Sequence, residues 1–176
     1  MTSEKTLTLI QQLDISRFER ALGSTNQLAL GRGLLTTAEC ERLNQTLTGK
    51  KTDPWRSAPV EIVLPSGKRE TLQMLKDPKL ALREALHRCT ESAESGRPVD
   101  AALDIYESIV LLHPFIDANR RTAALGAHYF FNRFGVGISG LALHELGLGD
   151  LRDPNQKKLL RETVAQMVRF VSGRDT

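Results

Sequence analysis

The stretch Leu112-His113-Pro114-Phe115-Ile116-Asp117-Ala118-Asn119-Arg120-Arg121-Thr122 joins an apolar helix to a second helix with an apolar face. It places an imidazole, a carboxylate, an amide and two guanidinium groups within a few residues. Proline disfavours helical geometry in the residue before it, so Pro114 predicts that the first helix ends at His113. Asp117 is a good N-cap for the second helix, and Gly135 is a natural stop for it.

The first turn of the second helix then contains Asn119, Arg120 and Arg121. Its free N–H groups and the helix dipole favour an anion. Arginines are unfavourable at this positive end unless an anion is present, and two of them favour phosphate over carboxylate. Each residue also has a simpler interpretation: a hydrogen-bonded helix-end histidine, an ordinary N-cap and a solvated first turn.

This stretch resembles the signature of the Fic/Doc (Fido) family, His-x-Phe-x-Asp/Glu-Gly-Asn-Gly/Lys-Arg-x-x-Arg, between about Trp55 and Gly140. Five positions match it: His113, Phe115, Asp117, Asn119 and Arg121. Ala118 replaces the usual glycine, and Arg120 stands where Fic enzymes have glycine and Doc toxins have lysine. Ala124 stands at the position of the last arginine. The variant without that arginine is closer to the Doc branch.

The resemblance implies a role for each matched residue. His113 would be the catalytic base that takes a proton from an attacking hydroxyl, and such work suits an imidazole. Asp117 would hold Mg²⁺, which prefers one or two carboxylates together with phosphate oxygens. Phe115 would be the apolar pin of the loop. The phosphates of ATP would be held by Ala118, Asn119, Arg120 and Arg121.

Residues 60–73 predict a β-hairpin, because the β-rich run Val60–Leu64 and the alternating run Arg69–Gln73 flank a Pro-Ser-Gly-Lys turn. A lone hairpin must pack on the helices to be stable. In the family a hairpin flap precedes the motif. Its strand, here Val60, Glu61, Ile62 and Val63, would dock the backbone of a protein target as an added strand. A purely structural hairpin is the alternative.

Length and composition predict one mainly α domain, a Fic-like helical bundle over residues 1–176 with the hairpin as its flap. N-terminal helices would occupy residues 1–50, the core with flap and motif 55–140, and C-terminal helices 141–176. Hydrophobic content is 40% and net charge is +3. We expect a cytoplasmic protein with no membrane segment and no nucleic-acid partner, in which Cys40 and Cys89 are buried reduced thiols.

Outside the motif, the pattern predicts one helix over residues 4–22, or two helices split at Asp14-Ile15-Ser16. The Ser16-x-x-Glu19 string would then be a capping box. A loop would follow from Gly23 to Gly33. One helix is predicted to run from Thr36 to Gly49 and another from Asp77-Pro78 to about Ser92. Two more helices are predicted to begin at Pro98 and at Asp153-Pro154. A short helix is predicted at Leu141–Leu146 and ends within Gly147–Asp150. The basic residues of the last helix, Lys157, Lys158, Arg161 and Arg169, should be solvated.

Many Fic proteins carry an inhibitory helix, Ser/Thr-x-x-x-Glu-Gly/Asn, whose glutamate plugs the nucleotide site. The nearest string here is Ser24-Thr25-Asn26-Gln27-Leu28-Ala29, with Leu28 in place of the glutamate. We therefore expect no plug within the chain. Either a separate antitoxin restrains the protein or nothing does, and the simplest interpretation of Ser24–Ala29 is loop.

The function that these patterns favour is transfer of a phosphate-containing group from ATP to a protein hydroxyl. Doc-like phosphoryl transfer, as in a toxin, is favoured because of Arg120 and Ala124. Fic-type AMP transfer is the first alternative, and phosphocholine transfer is a weaker one. A catalytically inactive module that binds a nucleotide or a partner is an alternative of another class. DNA binding is suggested only by the pI near 9.0.

Overall fold

The helices on either side of the quoted stretch, α4 (Pro98–Leu112) and α5 (Asn119–Arg133), form the centre of the fold. A computed structural model describes residues 9–64, 66–73, 77–146 and 149–173. α4 and α5 pack on each other more extensively than any other pair of elements. Their buried side chains include Ile105, Tyr106, Leu125, Phe130 and Phe131, all at most 1% exposed.

The other described elements surround this pair. α3 packs on α4 and α1 packs on α5, while α2 contacts α1, α3 and α5. The predicted mainly α fold with a single hairpin is confirmed for the described part of the chain. The elements are α1 (Leu9–Leu30), α2 (Thr37–Thr48), β1 (Val60–Val63), β2 (Arg69–Leu72), α3 (Pro78–Glu94), α6 (Ala142–Leu146) and α7 (Pro154–Ser172).

Helix ends mostly lie where the sequence predicts them. Thr36, Asp77 and Asp153 each accept a hydrogen bond from a backbone N–H of the following turn, which satisfies one of its free donors. α2 ends at Gly49, whose φ of +69° is the left-handed conformation that glycine adopts at no steric cost. α3 continues two residues beyond the predicted end at Ser92. The predicted end of α6 lies partly at residues 147–148, outside the described residues.

Of the two alternatives for the N-terminal region, the structure has one continuous helix through Asp14-Ile15-Ser16, so Ser16-x-x-Glu19 is not a capping box. The predicted loop is wrong in part, because α1 includes the segment from Gly23 to Leu30. The predicted helical residues 4–8 lie outside the described residues. A glycine inside a helix costs about 1 kcal/mol relative to alanine, so other contacts must offset Gly23.

Those contacts are with residues far along the chain. Asn26 Oδ1 lies 2.8 Å from His128 Nε2 and accepts a hydrogen bond of 2.8 Å from Asn132 Nδ2. Ala21 and Ala29 are buried on the same side of α1. Packing on α5 therefore makes Gly23–Leu30 helical, although its local sequence favours loop.

The hairpin forms as predicted, with β1 and β2 antiparallel and Val60 opposite Leu72. Its turn is closed by a hydrogen bond of 2.8 Å from Leu64 N to Lys68 O. Gly67, with φ +79°, adopts the left-handed conformation there. Pro65 of the predicted turn lies outside the described residues.

Two basic residues of α7 that were predicted to be solvated are partly buried and pair with carboxylates of α4. Arg161 Nε is 2.7 Å from Glu107 Oε1, and Arg161 also pairs with Asp104. Lys157 Nζ is 2.7 Å from Glu107 Oε2. Because Glu107 is only 3% exposed, these cations neutralise a buried carboxylate on α4 and attach α7 to the core.

The two cysteines, Cys40 and Cys89, are buried free thiols. Burial raises the pKa of each thiol to about 12. Within the described ranges no helix is long and apolar enough to cross a bilayer.

Candidate functional site

A cavity of about 690 Å³ lies where the end of α4, the start of α5 and the hairpin meet. The segment around residues 149–152 closes another side. The cavity contains most of the predicted site residues: His113, Asp117, Ala118, Asn119, Arg120 and Arg121 line it, together with Glu61, Ile62 and Val63 of β1.

His113 is the C-cap of α4, as predicted, and has left-handed backbone angles of φ 48° and ψ 56°. Its N–H donates a 3.0 Å hydrogen bond to Ile109 O. A left-handed conformation costs a residue with a side chain about 1–2 kcal/mol, so packing around the loop must hold it. The turn at His113 and Pro114 ends the helix at the cavity wall, where the half-buried imidazole lies.

The surroundings of His113 keep its ring neutral. Burial lowers the pKa of His113 below its usual value of 6.5, and the Arg56 cation lowers it further. Arg120 acts in the same direction, whereas a backbone hydrogen bond at Val110 and the charge of Asp117 oppose them. At neutral pH the imidazole is therefore free to accept a proton.

The predicted N-cap of α5 is wrong by one residue. Ala118 is the N-cap, in a left-handed conformation with φ 57°, and it makes no side-chain capping bond. Asp117 lies just outside the helix, and its Oδ1 accepts a hydrogen bond from the Ala118 N–H. That N–H is therefore not available to an anion, contrary to the prediction, while the exposed Asp117 side chain lies at the cavity.

The side chain of Asn119 has a different role from the predicted one. Its Oδ1 accepts a 2.9 Å hydrogen bond from Phe115 N, and its Nδ2 donates a 2.8 Å bond to Phe115 O. The residue is 3% exposed. Because this amide is buried and holds the loop, we expect Asn119 to contribute to an anion site through its backbone N–H.

Phe115 fixes the loop from the inside. It is fully buried, and its ring centroid is 4.8 Å from that of Trp55. The loop also pairs with the backbone of the 54–56 segment: Arg56 N donates to Pro114 O and Ile116 N donates to Pro54 O, both at 2.9 Å.

Sequence reasoning missed three residues that support this loop: Asn44, Trp55 and Arg56. Asn44 Nδ2 donates to Asp117 O at 2.8 Å and to Thr122 Oγ1 at 3.2 Å. Asn44 is buried on α2, more than 70 residues before the loop. A polar residue on the apolar face of a predicted helix is the one local signal that could have indicated it.

The two arginines of the first turn differ in their contacts. Arg120 donates from Nη2 to Gly149 O at 3.2 Å, and it also interacts with the Tyr106 hydroxyl. Arg121 is half-buried at the cavity wall. One turn further on, Ala124 is fully buried and brings no charge to the site.

The hairpin covers one side of the cavity and is joined to the far wall. Arg152 Nη1 is 2.6 Å from Glu70 Oε1 of β2, and Arg152 Nη2 is 2.9 Å from Asp150 Oδ2. Of the four residues predicted to dock a target, Val60 is not among the described residues that line the cavity. Val63 is 65% exposed and adjoins the turn.

Mg²⁺ fits the chemistry of this site. In the described ranges no group of three or more His, Cys, Asp or Glu residues is arranged to hold a metal. Asp117 offers a carboxylate at the cavity beside the start of α5, and Asp14, Glu61 and Asp150 also line this cavity. Mg²⁺ in phosphate sites is bound by one or two carboxylates with the remaining ligands from phosphate and water.

Comparison with known proteins gives a family and a fold. Residues 34–131 match the Fic/DOC family. A Fic-domain-containing signaling protein from Bacteroides thetaiotaomicron VPI-5482 has a similar structure, with a TM-score of 0.66 and 18% identity over 98% of this chain and 76% of that one. Fic-1 from C. elegans has a TM-score of 0.62 and 17% identity over 99% of this chain and 54% of that one.

A Fic family protein from Desulfovibrio desulfuricans G20 has a TM-score of 0.53 and 16% identity over 94% of this chain and 60% of that one. This chain thus spans less than two thirds of two of these three proteins. No curated protein is significantly similar to it.

Proposed function

Because the chain belongs to the Fic/DOC family, we propose that it transfers a phosphate-containing group from ATP to a hydroxyl of a protein. One observation above all supports this proposal: the neutral imidazole of His113 and the first turn of α5 line the same cavity. A proton acceptor facing the N–H groups of a helix start is an arrangement suited to phosphate chemistry.

In the favoured reaction, the hydroxyl oxygen of the target attacks the γ-phosphorus of ATP. A new O–P bond forms, the bond from the γ-phosphorus to the bridging oxygen breaks, and ADP leaves. His113 takes the hydroxyl proton. Mg²⁺ held at Asp117 would neutralise part of the phosphate charge. The backbone N–H groups of Asn119–Arg121 and the guanidinium of Arg121 would bind the phosphate oxygens.

Two residues favour phosphoryl transfer over AMP transfer. Arg120 fills space at the helix start with a side chain that is bonded to the Gly149 carbonyl, where AMP-transferring members have glycine. The buried Ala124 offers no guanidinium to a distal phosphate. Both differences suggest that ATP is not bound as it is in AMP-transferring Fic enzymes. They match the Doc variant of the motif more closely than the Fic one.

The hairpin supports a protein as the target. β1 borders the cavity, and within the described residues it pairs only with β2. An extended segment of a target could add to its other edge through main-chain hydrogen bonds. This would bring a hydroxyl of that segment towards His113.

The experiment is an intact-mass measurement on lysate proteins incubated with the protein, ATP and Mg²⁺. A phosphate-sized gain on a target supports the proposal, and an AMP-sized gain supports the alternative reaction. His113→Ala should abolish either gain. His87→Ala, which removes an exposed histidine of α3, is the matched control and should not. Absence of any gain with folded protein would favour the catalytically inactive binding module.

Expression in bacteria tests the toxin role separately. Growth arrest that is relieved by His113→Ala, but not by His87→Ala, would support a toxin and motivate a search for an antitoxin. Normal growth under high expression would count against that role.

A further inference from the structure

Arg56 is a buried cation next to the site that the reaction outlined above does not use. It is 3% exposed. In the described part of the chain no carboxylate forms a salt bridge with it, and its Nε has no hydrogen-bond partner there. A buried charge without a counter-ion is costly, and an apolar side chain would fill the same space without that cost.

The bonds of Arg56 go to three parts of the site. Its Nη1 donates to Leu72 O at 3.1 Å and its Nη2 to Gln73 O at 3.1 Å, which fixes the end of β2. Nη2 also donates to Leu112 O at 3.4 Å, one of the last carbonyls of α4. Its backbone N–H donates to Pro114 O at 2.9 Å, in the motif loop.

A guanidinium suits these acceptors better than an ammonium. Its planar fork reaches several carbonyls from one position, whereas an ammonium is a single point charge. A cation is also favourable at the C-terminal end of α4, where free carbonyls carry negative partial charge. The same charge acts on His113, the residue that follows Leu112, and favours its neutral form.

We propose that Arg56 is a positioning residue that fixes the hairpin and the His113-bearing end of α4 in one arrangement. Where the hairpin docks the target and His113 accepts its proton, as in the proposed function, Arg56 aligns the two. Its fork geometry holds the hairpin, and its charge keeps the imidazole ready to accept a proton.

The two contributions can be separated by two substitutions. Arg56→Met removes both the guanidinium hydrogen bonds and the charge. Arg56→Lys keeps the charge but loses most of these hydrogen bonds. Arg69→Met is the matched control, because Arg69 is an exposed arginine of β2 paired with Glu61 at 2.7 Å.

The readouts are amide hydrogen exchange in β1 and β2, and NMR titration of His113 in the full chain without ATP or metal. Because two hydrogen bonds to the end of β2 are lost, exchange should be about tenfold faster or more in both Arg56 variants. The His113 pKa should rise in Arg56→Met and remain near the wild-type value in Arg56→Lys. Besides Arg56, the charged groups that act on His113 are Arg120 and Asp117, which none of these substitutions changes.

Wild-type exchange rates in the hairpin of both variants would overturn the proposal, as would an unmoved His113 titration in Arg56→Met. If Arg56→Met does not fold, Arg56→Lys alone decides through hairpin exchange. Neither readout needs a substrate. A failed mass experiment together with these expected results would therefore overturn the proposed function and leave the positioning role intact.

Discussion

Replacing Asn119 with alanine tests whether its side chain holds the motif loop. The substitution removes both hydrogen bonds to Phe115 and leaves a buried backbone N–H and a buried carbonyl without partners. Each unsatisfied buried group costs about 1–3 kcal/mol. Alanine recovers roughly 0.5 kcal/mol through its better helix propensity. Two such groups cost about 2–6 kcal/mol together, so we expect a net loss of about 1.5–5.5 kcal/mol in the free energy of unfolding.

The assay is urea denaturation of Asn119→Ala beside Asn155→Ala. Asn155 is the matched control, since it is an exposed asparagine in the first turn of α7. Its replacement should change stability by less than about 0.5 kcal/mol. For a chain of this size, at about 2–4 °C per kcal/mol, the Asn119 loss corresponds to a melting temperature lower by about 3–22 °C. Equal stability of the two variants would refute the conclusion that this amide fixes the loop.

Three further predictions concern the thiols, the buried ion pair and the base. Burial raises the pKa values of Cys40 and Cys89 to about 12, so neither thiol should react with iodoacetamide at pH 8 until the protein is unfolded. Alkylation of the native protein, measured by mass spectrometry, would contradict their burial. Arg161→Ala leaves a buried carboxylate with one cation fewer and should cost about 2–4 kcal/mol in urea denaturation, against roughly 0–0.5 kcal/mol for the exposed Lys158→Ala. The pKa of His113 is lower in the folded protein than in the unfolded chain, so the unfolded chain binds more protons at this residue between the two pKa values. The contribution of His113 to stability is therefore present above pH 6.5 and is lost as the pH falls through the folded pKa. An NMR titration midpoint of His113 at or above 6.5 would contradict this prediction.

Local signals in the sequence predict most of the fold around the site. The proline after His113, the capping residues Thr36 and Asp77, and the β-rich run from Val60 each act through neighbours a few residues away. Such effects can be inferred from the order of residues alone. The cavity wall formed by the motif could be predicted for the same reason.

The features that sequence reasoning missed depend on contacts between distant parts of the chain. Asn26 makes Gly23–Leu30 helical through two side chains of α5, about 100 residues later. Asn44 and Arg56 support the motif loop from positions more than 50 residues away. Their residue types do not indicate which backbone groups they will meet, so only the folded arrangement reveals them.

The backbone conformation of Ala118 explains why the N-cap of α5 was predicted at the wrong residue. Its left-handed conformation moves the N-cap from Asp117 to Ala118. The Asp117 carboxylate then accepts a hydrogen bond from the Ala118 N–H, the group that was predicted to bind phosphate. Alanine seldom adopts this conformation, which is why the sequence favoured an ordinary cap at Asp117.

In the proposed function, the first turn of α5 forms a phosphate site that faces His113. The most direct measurement is an NMR titration of the ¹⁵N-labelled full chain with ATP and Mg²⁺. We predict that the largest shifts occur at the backbone amides of Asn119–Arg121 and at the His113 ring. Arg121→Met should weaken binding, while Arg83→Met, an exposed arginine on α3, should not. The proposal would be contradicted if the amides of Asn119–Arg121 did not shift, or if Arg121→Met bound ATP as tightly as Arg83→Met.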